Sequence, residues 1–269
     1  AECFDLKDRG AIAPGYRGDV VLLDDLKDFH VNRVFVEGTL VAEEGKYLPE
    51  IKKCDISSVK GSVIVKDFSK EKFKMNLKSN KVNVIKILPG GVVTAKDTAE
   101  IELDANGEFV RNPGVDLVKV AVVERHQGTG NVACGFLKGY GIKEGAVALS
   151  VAHDSHNIIV VGVNDEEMEF AVNSLIEQEG GIVLVKERKV IESMPMPIAG
   201  LMSDQSGEWV DQKLTDIHEK AYEELGICGD VEPVMTLCFM SLAVIPEIKL
   251  TDMGLFDVTT FSFIPVEVE

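Results

Sequence analysis

Short apolar runs separated by polar turns dominate this 269-residue chain. Residues 20–23 are four consecutive apolar positions behind a turn-rich entry at residues 10–19, and a run of that length predicts a strand. Residues 31–36 and 40–42 read as two further strands, joined by the tight turn Glu37-Gly38. Residues 1–50 are therefore expected to form a small antiparallel β element. An irregular connection near residues 47–57 separates it from residues 51–269. Lysines are frequent and the apolar period weak until residue 81. Strands resume at residues 82–88, 101–103 and 117–124, with turns at Gly90-Gly91 and Asn106-Gly107.

The strongest patterning begins at Gly145. Residues 147–152 and 158–163 predict two buried strands around a polar break. Asn164 or Asp165 is placed to cap a helix reaching Glu179, with Met168, Ala171, Val172, Leu175 and Ile176 on one face. Gly180-Gly181 stops it. Residues 182–186 and 189–192 read as a hairpin, and residues 210–225 as a second helix ending at Gly226. The Pro-broken, Met-rich stretch 195–203 reads as a buried irregular connection, with Ser203 or Asp204 capping the next helix. Residues 235–240 read as core, and strands are expected at 245–250 and 260–266. Strands outnumber the few long helices, so the expected fold class is α+β: the small β element, then a layered α+β domain.

Hydrophobic residues make up 45% of the chain, enough for one large core or two smaller ones. The 28 Lys and Arg against 45 Asp and Glu give a net charge of −17. A surface this acidic repels phosphate backbones and anionic lipid, which argues against nucleic acid and membrane as partners. It leaves a small neutral ligand or another protein chain. The apolar runs are strand-sized, well short of the roughly 20 residues of a transmembrane helix. Cys3, Cys54, Cys134, Cys228 and Cys238 are scattered and odd in number. Free thiols in a reducing cytoplasm are expected rather than a disulfide framework. The start, Ala1-Glu2-Cys3-Phe4-Asp5, has no signal-peptide pattern and no initiator Met, so the sequence is expected to open within a longer protein.

Candidate chemistry concentrates in two polar segments at strand ends. The first is Ala152-His153-Asp154-Ser155-His156-Asn157. Two imidazoles, a carboxylate, a hydroxyl and an amide can serve acid–base work, a purine edge or a metal. An extended backbone would place His153 and Ser155 on one side and Asp154 and His156 on the other. A bent one would bring the histidines together. The spacing alone equally fits a polar turn, and no Cys or Glu stands beside it to complete a metal set. The second segment, Glu124-Arg125-His126-Gln127-Gly128-Thr129-Gly130-Asn131, follows an apolar strand. It is not a GxGxxG phosphate loop, and by spacing it reads as a glycine turn with a charged rim. HxH, HExxH, GxSxG and the zinc deaminase HxE with PCxxC are absent from the sequence.

Several motifs resemble a known family. The stretch GAIAPGYRGDVVLLD at residues 10–24 is similar to the segment of amidohydrolases that leaves the catalytic barrel to complete a β-sandwich. RHQGTG at 125–130, VAHDSHN at 151–157, GGIV at 180–183, PIAGLMS at 197–203 and VIPEIKLT at 244–251 resemble the bacterial adenine deaminases in order and spacing. The resemblance covers essentially the whole chain. It implies hydrolysis of adenine to hypoxanthine and ammonia, with water activated by manganese or iron. The family's metal ligands lie on barrel strands, and no residue here matches them. The resemblance thus implies a C-terminal portion whose partners are its own upstream barrel and further copies in a homo-oligomer. No cofactor is expected on this chain. Residues 1–50 are expected to be the least ordered, or to pair with another chain.

The candidate site residues are Arg125, His126, Thr129, His153, Asp154, Ser155, His156 and Asn157, expected to face the active site or a subunit contact. The competing reading is a non-catalytic ligand-binding or oligomerisation module. The upstream coding sequence separates the two.

Overall fold

The computed structural model describes residues 1–268. The chain folds as two compact units, Ala1–Asp55 and Ile56–Glu269. In the first, β1 (Val20–Leu23), β2 (Val31–Val36), β3 (Thr39–Glu43) and β4 (Lys46–Tyr47) form an antiparallel meander in that order. Asp19 Oδ1 accepts the Glu37 N–H at 2.8 Å, fastening the β2–β3 turn to the start of β1. None of residues 1–55 is buried, and Ile12, Leu26 and Ile51 are 91%, 80% and 77% exposed. The unit has a sheet without a core of its own.

The second unit is built on eight strands: β5 (Lys81–Ile87), β6 (Thr94–Glu100), β9 (Leu117–Val123), β10 (Val132–Lys138), β11 (Ala146–Ala152), β12 (Asn157–Gly162), β13 (Gly181–Lys186) and β14 (Lys189–Pro195). Their spatial order is β14-β13-β11-β12-β9-β10-β5-β6. Every neighbouring pair is antiparallel except β10 and β5. The short pair β7 (Glu102–Leu103) and β8 (Phe109–Val110) stands apart. A three-stranded sheet of β15 (Ile248–Thr251), β16 (Gly254–Asp257) and β17 (Ser262–Phe263) closes the chain.

The central strand β9 is buried at all seven positions, because both faces of the sheet are covered. On one face α1 (Asp165–Glu177) lays Met168, Ala171, Val172 and Leu175 on Ala121, Ala148, Val160 and Val183. On the other, α2 (Gly207–Glu223) and α3 (Pro233–Cys238) bring Ile217, Ala221, Leu237 and Cys238 against Val120, Val122, Leu149 and Val161. Each buried Val or Leu contributes about 1.5–3 kcal/mol of transfer free energy, so this sandwich is what fixes the sheet. The class is α+β, layered and dominated by strands.

Four details differ from the sequence expectation. Strands β6 and β10 lie where the apolar pattern predicts none: Gly135 interrupts the apolar run of one, and the other alternates on a polar edge. The strand expected at 245–250 starts only at Ile248, after Pro246, which has no N–H for a ladder. The one expected at 260–266 is confined to Ser262–Phe263. Finally, α2 is capped by Ser206, whose Oγ accepts the Trp209 N–H at 3.3 Å. Ser203 instead accepts the Gln205 N–H within the preceding turn, so neither Ser203 nor Asp204 is the cap.

Candidate functional site

Strand pairing brings the two polar segments together. Val123 on β9 is the register partner of Ile158 on β12 and of Val132 on β10. The β9–β10 turn and the β11–β12 turn therefore emerge side by side at one end of the sheet. The backbone between His153 and His156 bends, and their ring centroids stand 5.7 Å apart. Strict alternation is not followed; the bent arrangement is. His126 reaches across from the other turn, its Nε2 2.7 Å from the Ser155 carbonyl oxygen. Three imidazoles are thus gathered at one place. Asp154, Ser155 and His126 face solvent, while His153 and His156 are half-buried.

Glu124 shapes the first turn. It is buried, and its carboxylate accepts the backbone N–H groups of His126 at 2.5 Å, Gln127 at 2.7 Å and Thr129 at 2.9 Å, with the Thr129 hydroxyl at 3.1 Å. Burial pushes its pKa up, but the donors from Gln127, Thr129 and His126 outweigh it and hold the carboxyl below its ordinary value. Gly128 and Gly130, with φ of 59° and 76°, let the turn close around it. Thr129 thus serves the turn's own architecture.

Arg125 is not on a charged rim. It is 1% exposed, and all its acceptors are carbonyls. Nε donates to His156 O at 2.5 Å, and Nη2 donates to Ala199 O at 3.2 Å and, at the limit of 3.5 Å, to Ser150 O. Burial lowers its pKa. One side chain thereby ties the end of β9 to the β11–β12 turn and to the connection after β14. Asn157, also buried, accepts the Arg125 N–H at 3.3 Å and donates to Asp252 at 3.2 Å. His153 is fixed from the helical side. Its N–H donates to Cys238 O at 3.0 Å, its carbonyl accepts from Ser241 Oγ at 3.2 Å, and its ring lies 4.7 Å from that of Phe239.

His156 carries the clearest chemical signature. Burial lowers its pKa, and the neighbouring His153 and Arg125 add to this against the opposing pull of Asp154. The neutral imidazole is favoured, and its Nδ1 is buried without a hydrogen-bond partner among the described residues. The arrangement offers the neutral His156 imidazole, which can donate and accept, and the Asp154 carboxylate, which accepts, to a polar ligand edge. It does not fit a metal: among the described residues no group of three or more His, Cys, Asp and Glu is placed to hold one.

Glu124 as an organiser, together with Ser150, Gly200 and Asp252, is absent from the set that sequence pattern singles out. A glutamate shortly before a Gly-x-Gly turn is the one signal the sequence holds for it; the others join only through pairing distant in sequence.

An α+β sheet end bearing two interlocked polar turns is the class of structure seen. Residues 91–262 match the family model described as "Adenine deaminase C-terminal domain", and the chain belongs to that family. It is 66% identical over 267 residues to "Adenine deaminase 2" of Desulfotalea psychrophila, covering 99% of this chain and 46% of that protein. It is 47% identical over 269 residues to "Adenine deaminase" of Ligilactobacillus salivarius, covering 100% of this chain and again 46% of the relative. The chain spans about half the length of these curated relatives.

Proposed function

We propose that this chain is the C-terminal part of a metal-dependent adenine deaminase. The complete enzyme would hydrolyse the C6–amino bond of adenine: adenine and water become hypoxanthine and ammonia, a step of purine salvage. The observation that carries this reading is the similarity to adenine deaminases over essentially the full chain. A divalent metal, manganese or iron, would be held by residues upstream of this sequence and would supply an activated water there. The side chains described here do not form such a site.

What this chain would supply is the paired turns. His126, His153, Asp154, Ser155 and His156 would face the active site or a subunit contact, held in place by Arg125, Thr129 and Asn157. The half-buried, neutral His156 fits a role against a purine edge, whose ring nitrogens accept and whose amino group donates. The exposed apolar side chains of Ala1–Asp55 are in keeping with a half-sandwich completed by the upstream part. Five free cysteines are in keeping with a reducing cytoplasm, and a homo-oligomer is the expected assembly.

The test compares the complete protein with the 269-residue chain, each supplied with Mn²⁺ or Fe²⁺, by following hypoxanthine formation from adenine. Turnover by the complete protein and none by the chain is expected. Turnover by the chain alone, or none by the complete protein, contradicts the proposal.

A further inference from the structure

The second unit has a cavity that the paired turns do not use. It measures about 520 Å³ and lies between the β5–β6 loop, α2 and α3. That falls within the roughly 300–1,000 Å³ typical of small-molecule sites. Leu88, Pro89, Val92, Val231, Val234 and Met235 supply apolar walls. The titratable groups lining it are His218, Asp230 and Glu232, and no Lys or Arg is among the lining residues. Glu232 is already engaged, with one oxygen 2.5 Å from His218 Nε2 and the other accepting the Met235 N–H. Asp230, exposed at the mouth, is the carboxylate left to face an entering molecule.

Apolar walls with carboxylates at one edge and no Lys or Arg suit a flat ring that carries donors or positive charge. They disfavour the same ring carrying an anion, since His218, the one lining side chain able to carry positive charge, is already held by Glu232. We propose that this cavity binds a planar aromatic amine or amidine, ring against Pro89, Val92 and Val234, nitrogen toward Asp230. The site is separate from the histidine turns and joined to them by α3, whose N-terminal residues line the cavity and whose last residue, Cys238, accepts the His153 N–H.

Benzamidine is the probe and benzoate its control of equal size and opposite charge. Each is titrated into the 269-residue chain, with methyl resonances of Val231, Val234 and Met235 observed by NMR. Saturable shifts with benzamidine and none with benzoate are expected. Asp230→Asn, an exposed substitution, is expected to weaken benzamidine by about tenfold, the loss of one charge-assisted contact. Gly91→Trp is expected to abolish binding, because Gly91 lines the cavity and its backbone admits a side chain, the nearest atom to a Cβ being 4.0 Å away. The proposal is overturned if benzamidine produces no saturable shift, if benzoate binds as well, or if Gly91→Trp binds like the parent.

Discussion

Gly200 lies so close to the Arg125 guanidinium that a Cβ there would fall 2.7 Å from Nη1, and its φ of +71° already disfavours a side chain. Replacing it would push on the group that holds His156, Ser150 and Ala199 together. Gly200→Ala is expected to destabilise the chain by about 2 kcal/mol in thermal or urea unfolding. Gly229→Ala, with open space around it and no left-handed φ, is expected to leave stability within about 0.5 kcal/mol. Equal effects of the two would argue against the packing described.

Lys249 offers a second residue-scale test. It is fully buried, and its Nζ donates to Val92 O at 3.0 Å. Burial pushes its pKa down to about 8, below the unfolded value of about 10.4. The folded state thus releases this proton earlier than the unfolded one. The stabilisation is fully present above the unfolded pKa and is lost as pH falls from about 10.4 to about 8, with no further change below. The span corresponds to roughly 3 kcal/mol. Unfolding free energies of parent and Lys249→Met, measured between about pH 7 and 10, are expected to differ by an amount that changes across this window. A constant difference would contradict the assignment.

At the scale of elements, local sequence signals suffice where one residue decides the outcome. Strands β1 and β2 fall where their apolar runs predict, and Asn164 caps α1 by accepting the Glu167 N–H at 2.8 Å. The cap of α2 is not decided locally, because Ser203 and Ser206 are equally good caps in isolation; only the fold shows which of them precedes helical backbone. Ser206→Ala is expected to cost about 1 kcal/mol, and Ser203→Ala a few tenths at most. Chemical denaturation of the two variants distinguishes them. The site is legible in part for the same reason. The residue types at 125–131 and 152–157 are visible in the sequence, but their adjacency depends on β9 pairing with β12, a register no local pattern specifies. Arg125 is expected at a rim because arginine is usually exposed. Three carbonyls from distant segments are what make its burial tolerable.

At the scale of the whole molecule, the residues from Ile56 onward enclose three apolar clusters, while none of residues 1–55 is buried. That asymmetry suits a unit completed by other residues. Cysteines placed at Ile12 and Leu26 are expected to react with a thiol reagent at least about tenfold faster in the 269-residue chain than in the complete protein. Equal rates would mean that these residues stay uncovered.

The paired turns are proposed to serve the complete enzyme, at its active site or at a subunit contact. The decisive measurement is kcat/KM for adenine, with assembly state, in the complete enzyme carrying His153→Ala and His156→Ala together. A loss of about tenfold or more in kcat/KM, or a change of assembly, is expected, with circular dichroism unchanged. An unchanged kcat/KM with unchanged assembly would contradict this role.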